Sequence, residues 1–203
     1  MIQIYCLNTK TTKEFQEGMT LLEVLEEFDF DRPYPIVSAK VNNVSQGLKF
    51  RVYNSRDVEF LDIRHHTARH VYFRSLCFLL YKAAQDLFPG SKLNMEHPIS
   101  KGFYCRIRKT DGQLLDSNDI AALRVRMRAI VADDIQFHRH EARIDDAIRM
   151  FSELGQEDKV KLLETSGKAY TDYYTLDDTT DYYYGRLVPS TGYLNIWDIE
   201  AYR

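Results

Sequence analysis

The chain is poor in the residues that punctuate, staple or anchor polypeptides. Only 9 glycines and 5 prolines occur among 203 residues, below the usual combined share of about 12%. That excludes collagen-like and low-complexity architectures. Cys6, Cys77 and Cys105 are an odd number at no metal-ligand spacing, so a disulfide framework is not expected and reduced thiols in a cytoplasm are. No apolar run reaches the ~18 residues that a membrane span needs. The start, Met1-Ile2-Gln3-Ile4-Tyr5, lacks the basic patch and apolar block of a signal peptide. A phosphate-binding loop is also missing. Gly167-Lys168 would need a Gly five residues before that glycine and Ser or Thr after the lysine, and those places hold Leu162 and Ala169. This stretch is therefore no P-loop kinase or GTPase by itself. Beyond His140 there is neither cysteine nor histidine.

What is present describes a soluble globular protein of one to two domains: 44% hydrophobic residues and 28% charged ones, with a mean hydropathy of −0.42. The net charge of −3 hides a division. Residues 1–63 carry −3 (7 basic, 10 acidic), residues 64–143 carry +6 (14 and 8), and residues 144–203 carry −6 (6 and 12). All six histidines (His65, His66, His70, His97, His138 and His140) lie in the basic middle. Such a stretch is either ordinary surface variation or a surface for phosphates or another anionic partner.

The first 63 residues read as a small ββαββ unit. Ile2, Ile4 and Cys6 alternate as one strand face should, Asn8-Thr9-Lys10 turns the chain, and Thr12 to Glu17 forms a second run that Gly18 breaks. Thr20-Leu21-Leu22-Glu23 has the form of a capping box. Behind it, Leu21, Val24, Leu25 and Phe28 make a helical stripe, and Pro33-Tyr34-Pro35 forbids further helix. Ile36–Val41 and Val58–Ile63 read as strands, with a turn at Asn42-Asn43. One helix on a small mixed sheet is β-grasp-like.

No flexible linker follows. A long helix is expected from about His66 to Phe88, its interior Phe73, Leu76, Cys77, Leu80, Ala84 and Leu87, ended by Pro89-Gly90. Residues 101–108 read as a strand and Asp111-Gly112 as a hairpin turn. A second helix, capped by Asp116 or Ser117, buries Ile120, Leu123, Met127, Ile130 and Val131. A third turns Ile144, Ala147, Ile148 and Phe151 inward and stops at Gly155. Residues 170–203 hold eight of the fourteen tyrosines and read as strands and loops. The fold class expected is α+β.

Two features could carry chemistry. His66 and His70 share a helix face at i, i+4, so both imidazoles could reach one ion; the metalloprotease version needs Glu where Thr67 stands. The alternative is a pair of satisfied core or interface histidines. Tyr182-Tyr183-Tyr184, with Tyr173, Tyr174 and Tyr193, offers faces for bases or amino acids, or simply a tyrosine-rich sheet packing on its neighbours.

Gly18-Met19-Thr20-Leu21, Ala39-Lys40-Val41-Asn42-Asn43 and Val58-Glu59-Phe60-Leu61 resemble the TGS domain of threonyl-tRNA synthetases, covering residues 1–63. His66-Thr67-Ala68-Arg69-His70, Gly102-Phe103-Tyr104, Lys159-Val160, Asp181 and Gly185-Arg186-Leu187-Val188-Pro189 resemble the editing (second additional) domain of those enzymes, covering residues 64–203. The resemblance implies a long first helix over a mixed or antiparallel sheet, and a cleft built from His66, His70, Tyr104, Lys159, Asp181, Tyr183 and Leu187. In the family that cleft hydrolyses mischarged seryl-tRNA with two histidines of HxxxH and a later Cys and His. Here the first pair is kept as His66 and His70, while Tyr183 stands where the Cys belongs and Leu187 where the His belongs. Zinc is therefore not expected, and His66 and His70 are the sole candidate ligands.

Glu96-His97-Pro98-Ile99-Ser100-Lys101-Gly102-Phe103-Tyr104-Cys105 and Leu187-Val188-Pro189-Ser190-Thr191-Gly192-Tyr193 further resemble bacterial uridine (nucleoside) kinase-like proteins that carry this pair of domains before a kinase domain. That resemblance implies a kinase domain beyond Arg203, which would bring ATP and Mg²⁺. The front region would then be a non-catalytic module for a nucleotide, amino acid or RNA ligand. An active seryl-tRNA hydrolase and a docking or dimerisation unit are the alternatives. The cytoplasm is the expected compartment, with no membrane partner.

Overall fold

The computed structural model describes residues 1–99 and 102–202; Ser100, Lys101 and Arg203 lie outside the described residues, so the expected strand is seen only from Gly102. The fold is α+β. Two compact units divide the chain: residues 1–136 with 186–203, and residues 137–185.

The first unit begins with strand β1 (Ile2–Cys6) and its antiparallel partner β2 (Thr11–Phe15). Next come the short β3 (Met19–Thr20) and helix α1 (Leu21–Glu26). The capping box is formed: Thr20 Oγ1 accepts from the Glu23 amide and the Glu23 carboxylate accepts from the Thr20 amide. Strands β4 (Ile36–Val41), β5 (Val44–Gln46), β6 (Arg51–Val52) and β7 (Arg56–Asp62) follow. The main sheet has the order β2-β1-β7-β4-β5, with β1 and β7 parallel, and β3 pairs with β6. Ile2, Ile4 and Cys6 of β1 share one core with Leu21, Val24, Leu25, Phe28, Ala39 and Phe60. The other face of β1, bearing Gln3 and Tyr5, is left to solvent. Asn42 and Asn43, at φ 48° and 64°, turn β4 into β5. Two successive left-handed residues are what a tight hairpin requires and what Asn tolerates best outside Gly.

Helix α2 (His66–Leu87) is buried on two sides. The expected stripe is one of them: Cys77, Leu80 and Ala84 are buried, and half-buried Phe73 stacks on Phe103 with ring centroids 3.7 Å apart. Phe73, Leu76 and Leu87 are less enclosed than expected. The second side, Ala68, Val71, Tyr72, Ser75, Phe78, Leu79, Lys82 and Ala83, is the more deeply buried. Two polar members disguise it in the sequence, and each is satisfied. Ser75 Oγ donates to the Val71 carbonyl and accepts from the Val188 amide, both at 2.9 Å. Lys82 pairs with Asp86 at 2.7 Å, and Asp86 pairs with Arg126 at 2.7 Å.

Strands β8 (Lys92–Ile99) and β9 (Gly102–Arg108) form a two-stranded ribbon; β8, with its Pro98 and polar sequence, carries no strand signal. Helix α3 (Ser117–Ala132) is capped by Asp116, with Asp119 completing the box. Residues 186–196 then pack on α2 and α3. Arg74 donates to the Arg186 carbonyl. Thr191 Oγ1 donates to the Ile130 carbonyl at 2.7 Å and accepts from the Ile135 amide at 2.9 Å. The Gly192 amide donates to Asp134 at 2.9 Å. A Cβ on Gly192 would lie 2.3 Å from that carboxylate oxygen, so this approach requires glycine. The Tyr72 hydroxyl accepts from the Ile196 amide at 2.8 Å.

The second unit is the antiparallel sheet β10 (Phe137–Arg143), β11 (Tyr170–Leu176) and β12 (Thr179–Asp181), in that order, with helices α4 (Ile144–Glu153) and α5 (Glu157–Glu164). Ala147, Phe151, Val160 and Leu163 are its buried core, with Ile144, Ile148, Tyr173 and Tyr182 packed around them. Gly155, at φ 69°, turns α4 into α5. No described helix is long and apolar enough to cross a membrane.

Candidate functional site

The sequence candidates fall into two groups. His66, His70, Tyr104 and Leu187 belong to the first unit, and Lys159, Asp181 and Tyr183 to the second.

His66 and His70 occupy the first turns of α2 on the side opposite Ala68, Val71, Tyr72 and Ser75. Both are exposed, which corrects the core reading. Their rings stand edge to face with centroids 6.1 Å apart. The neighbouring His65 has the structural task. Its Nδ1 accepts from the Thr67 amide at 3.2 Å as the N-cap of α2, and its Nε2 lies 3.2 Å from Lys40 Nζ. Lys40 in turn pairs with Glu59 at 3.2 Å. Tyr104 sits on the β8–β9 ribbon in an aromatic cluster with His97 and Tyr202, at centroid distances of 5.7 and 5.4 Å. Arg106 lies 5.9 Å from its ring. Leu187 is buried, one residue before the Val188 amide that α2 holds.

Lys159 and Asp181 meet. The Gln156 side chain donates to the Thr180 carbonyl at 3.1 Å, fixing the start of α5 to β12. One helical turn on, Lys159 Nζ lies 3.3 Å from Asp181 and 3.4 Å from Asp158. The Asp181 side chain is only 7% exposed and that of Lys159 25%. Lys159 is therefore an ion-pair member. The Asp181 carboxylate also accepts from the Tyr182 amide at 2.7 Å and from the Tyr183 hydroxyl.

Burial is the largest influence on Asp181 and raises its pKa above the ordinary value, while Lys159, the Tyr182 amide and Tyr183 pull it back. Burial pulls Lys159 down, but Asp181 and Asp158 outweigh it, so its pKa ends raised. Lys159 is a firmly charged lysine that cannot serve as a neutral base. Asp181 thus accepts from three donors, the Lys159 ammonium and the Tyr182 amide both on Oδ1, which fixes its orientation.

The remaining tyrosines are largely structural. Tyr174 is buried and donates to the Gly185 carbonyl at 2.9 Å. Tyr173 lies between His140, stacked at 5.0 Å, and Phe151, edge-on at 6.4 Å. Tyr184 is exposed, with Lys168 Nζ 4.9 Å from its ring. Sequence reasoning missed His65, whose signal is its place immediately before the helix. It also missed Gln156, whose signal is a polar residue between a stop glycine and an acidic helix start.

The later two positions of the implied ligand set, Tyr183 and Leu187, do not supply the Cys and His of the family. Leu187 has no donor atom, and the Tyr183 hydroxyl donates to Asp181. Among the described residues no group of three or more His, Cys, Asp or Glu side chains is placed to hold one.

No protein-family model matches the chain. Among curated proteins, it is 30% identical over 189 residues to a threonine–tRNA ligase of Syntrophomonas wolfei subsp. wolfei, covering 93% of this chain and 29% of that protein. It is 26% identical over 184 residues to the threonine–tRNA ligase of Parabacteroides distasonis, covering 91% and 28%. The enzyme of Carboxydothermus hydrogenoformans is 28% identical over 196 residues, covering 92% and 29%. The chain thus spans under a third of the length of these curated relatives. Over some nine-tenths of its own length the chain is similar to these threonine–tRNA ligases.

Proposed function

We propose that this chain is a non-catalytic, ligand-binding or regulatory region derived from the TGS and editing module of threonyl-tRNA synthetases. Its two parts are residues 1–63 and 64–203, and it serves an attached uridine (nucleoside) kinase domain. One observation carries the non-catalytic reading: Asp181 is buried and is held by Lys159, the Tyr182 amide and Tyr183. A carboxylate held in that way supports a fixed cluster better than water activation. Leu187 adds to this, since an aliphatic side chain supplies no ligand or base. The ligand classes that suit the module are a nucleotide, an amino acid or RNA, and the cytoplasm is its compartment. The kinase context rests on the Glu96–Cys105 and Leu187–Tyr193 stretches of sequence. Phosphorylation of uridine by the parent protein, with and without residues 1–203, tests the proposal. A change in rate, in ligand response or in assembly is expected. Identical behaviour of the two forms would overturn the regulatory role.

The second reading, an editing hydrolase, is favoured by the exposed His66 and His70 pair, whose rings are open to solvent. Hydrolysis of seryl-tRNA by the purified chain decides it.

A further inference from the structure

Alternation in β1 sends Ile2, Ile4 and Cys6 into the core and leaves Gln3 and Tyr5 on the outer face of the sheet. Register then sets their neighbours. Glu14 and Thr12 of β2 stand beside Gln3 and Tyr5, and Asp57 of β7 stands on the other side of Tyr5. The Tyr5 ring thus lies between a hydroxyl and a carboxylate, on strands about 4.8 Å apart. The β4–β5 turn closes one end. The Asp57 amide donates to Asn42 Oδ1 at 3.0 Å, and the Asn42 amide donates to the Asp57 carbonyl at 2.9 Å. Ser55 is also fixed, its hydroxyl accepting from the Gln3 amide at 3.0 Å. These elements enclose a cleft of about 480 Å³, room enough for one long side chain.

The charge of this face has one sign. The side chains of Glu14 and Asp57 have no hydrogen-bond or ion-pair partner among the described residues. Further along the same face, Lys40 and Glu59 neutralise each other at 3.2 Å, with His65 against the lysine. Arg56 also borders the cleft, but it is in register with the core-facing Ile4, so its side chain starts on the opposite face. Tyr5 is 37% exposed, and the face of its ring carries the negative part of the aromatic quadrupole. Ring and carboxylate therefore attract the same kind of ligand, a cation. A guanidinium satisfies both together, because it is planar, stacks on an aromatic face and pairs with a carboxylate through two parallel N–H groups. An ammonium is a point charge and lacks that fork. The carboxamides of Gln3 and Asn43, also without side-chain hydrogen bonds, suit the amide groups that flank an arginine within a polypeptide. The free carboxylate of an amino acid would instead meet the like charges of Asp57 and Glu14.

We propose that this cleft is a docking site for an alkylguanidinium group, the side chain of an arginine in a protein partner. The guanidinium stacks on Tyr5 and pairs with Asp57, while Gln3 and Asn43 meet the partner's backbone. The site shares no residue with the Lys159–Asp181 cluster, so its failure and the failure of the function proposed above are separately visible.

The test is a titration of the isotopically labelled chain, followed by amide NMR. The probes are N-acetyl-arginine amide, its neutral isostere N-acetyl-citrulline amide, N-acetyl-lysine amide and agmatine, all at millimolar concentration. Saturable shifts centred on Tyr5, Asn43 and Asp57 are expected from the blocked arginine, weaker ones from the lysine compound and none from the citrulline compound. Added sodium chloride should weaken the binding, as it does for exposed charges. Tyr5→Leu should weaken it about two- to fivefold, the range of an exposed cation–π contact. Asp57→Asn should weaken it about fivefold, the upper end for an exposed ion pair. Both side chains are exposed, and an unchanged melting temperature confirms intact variants. The proposal is overturned if the blocked arginine shifts none of these amides, if the citrulline compound shifts them equally, or if both variants bind as the parent does. Shifts from agmatine with none from the blocked arginine would overturn the protein partner in favour of a small amine.

Discussion

Replacing Lys159 by Met keeps the aliphatic stem and deletes only the charge. Asp181 is then a carboxylate with 7% of its side chain exposed and its counter-charge, formerly 3.3 Å away, gone. Two donors remain, the Tyr182 amide and the Tyr183 hydroxyl. Removing one partner of a buried ion pair costs about 3–5 kcal/mol, and the residual exposure of Lys159 with the two surviving donors places the expectation near the lower end, about 3 kcal/mol at neutral pH. The pH dependence separates this from simple loss of packing. The folded pKa of Asp181 already lies above its ordinary 3.8, and without the lysine it rises further. Between 3.8 and that raised value the folded chain keeps a proton that the unfolded chain has released, so stability falls as pH rises through the window. Lys159→Met should therefore be most destabilised at neutral pH and approach the parent near the ordinary carboxylate value. Urea unfolding followed by circular dichroism at the two pH values measures the difference, and adding Asp181→Asn should restore most of the loss at neutral pH. An equal loss at both pH values, with no rescue by Asp181→Asn, would refute the reasoning.

Four further outcomes follow from the same geometry. Thr191→Val is nearly isosteric but removes the partner of the Ile130 carbonyl and of the Ile135 amide; at about 1–3 kcal/mol per unsatisfied group, chemical denaturation should show a loss of about 2–6 kcal/mol. Asp116→Ala should cost about 1 kcal/mol by removing the N-cap of α3. The Asp119 of the same box has its pKa lowered, first by Lys109 and then by the Asp116 amide. Its contribution is thus present above the ordinary 3.8 and is lost as pH falls through its lower folded value, which an acid titration of the melting temperature will register. His70→Ala, at an exposed helix position, should leave unfolding free energy within about 0.5 kcal/mol of the parent.

The N-terminal third was legible because its signals are local and agree with one another. Alternation in Ile2, Ile4 and Cys6, the capping box at Thr20 and Glu23, and the Asn42-Asn43 turn each point to the element that forms. Helix α2 was half legible. Its stripe through Cys77, Leu80 and Ala84 stands out, but the deeper face contains Ser75 and Lys82, and polar residues satisfied by tertiary partners look like surface in a sequence. Strand β10, Phe-His-Arg-His-Glu-Ala-Arg, was hidden because an edge strand carries charge on its open side. In α5 no side-chain cap marks the start. The meeting of Lys159 with Asp181 joins residues 22 positions apart, and no local pattern encodes it. Resemblance to the synthetase editing domain put both residues in one cleft. The three donors on Asp181, and the exposure of His66 and His70, required coordinates.

The function proposed above has the Asp181 cluster holding structure and performing no hydrolysis. Incubation of the purified chain with seryl-tRNA, following release of serine, tests it most directly. The account predicts a rate equal to the uncatalysed background and unaffected by His70→Ala. A rate well above background that falls with His70→Ala, or with Asp181→Asn in a chain that still folds, would contradict it.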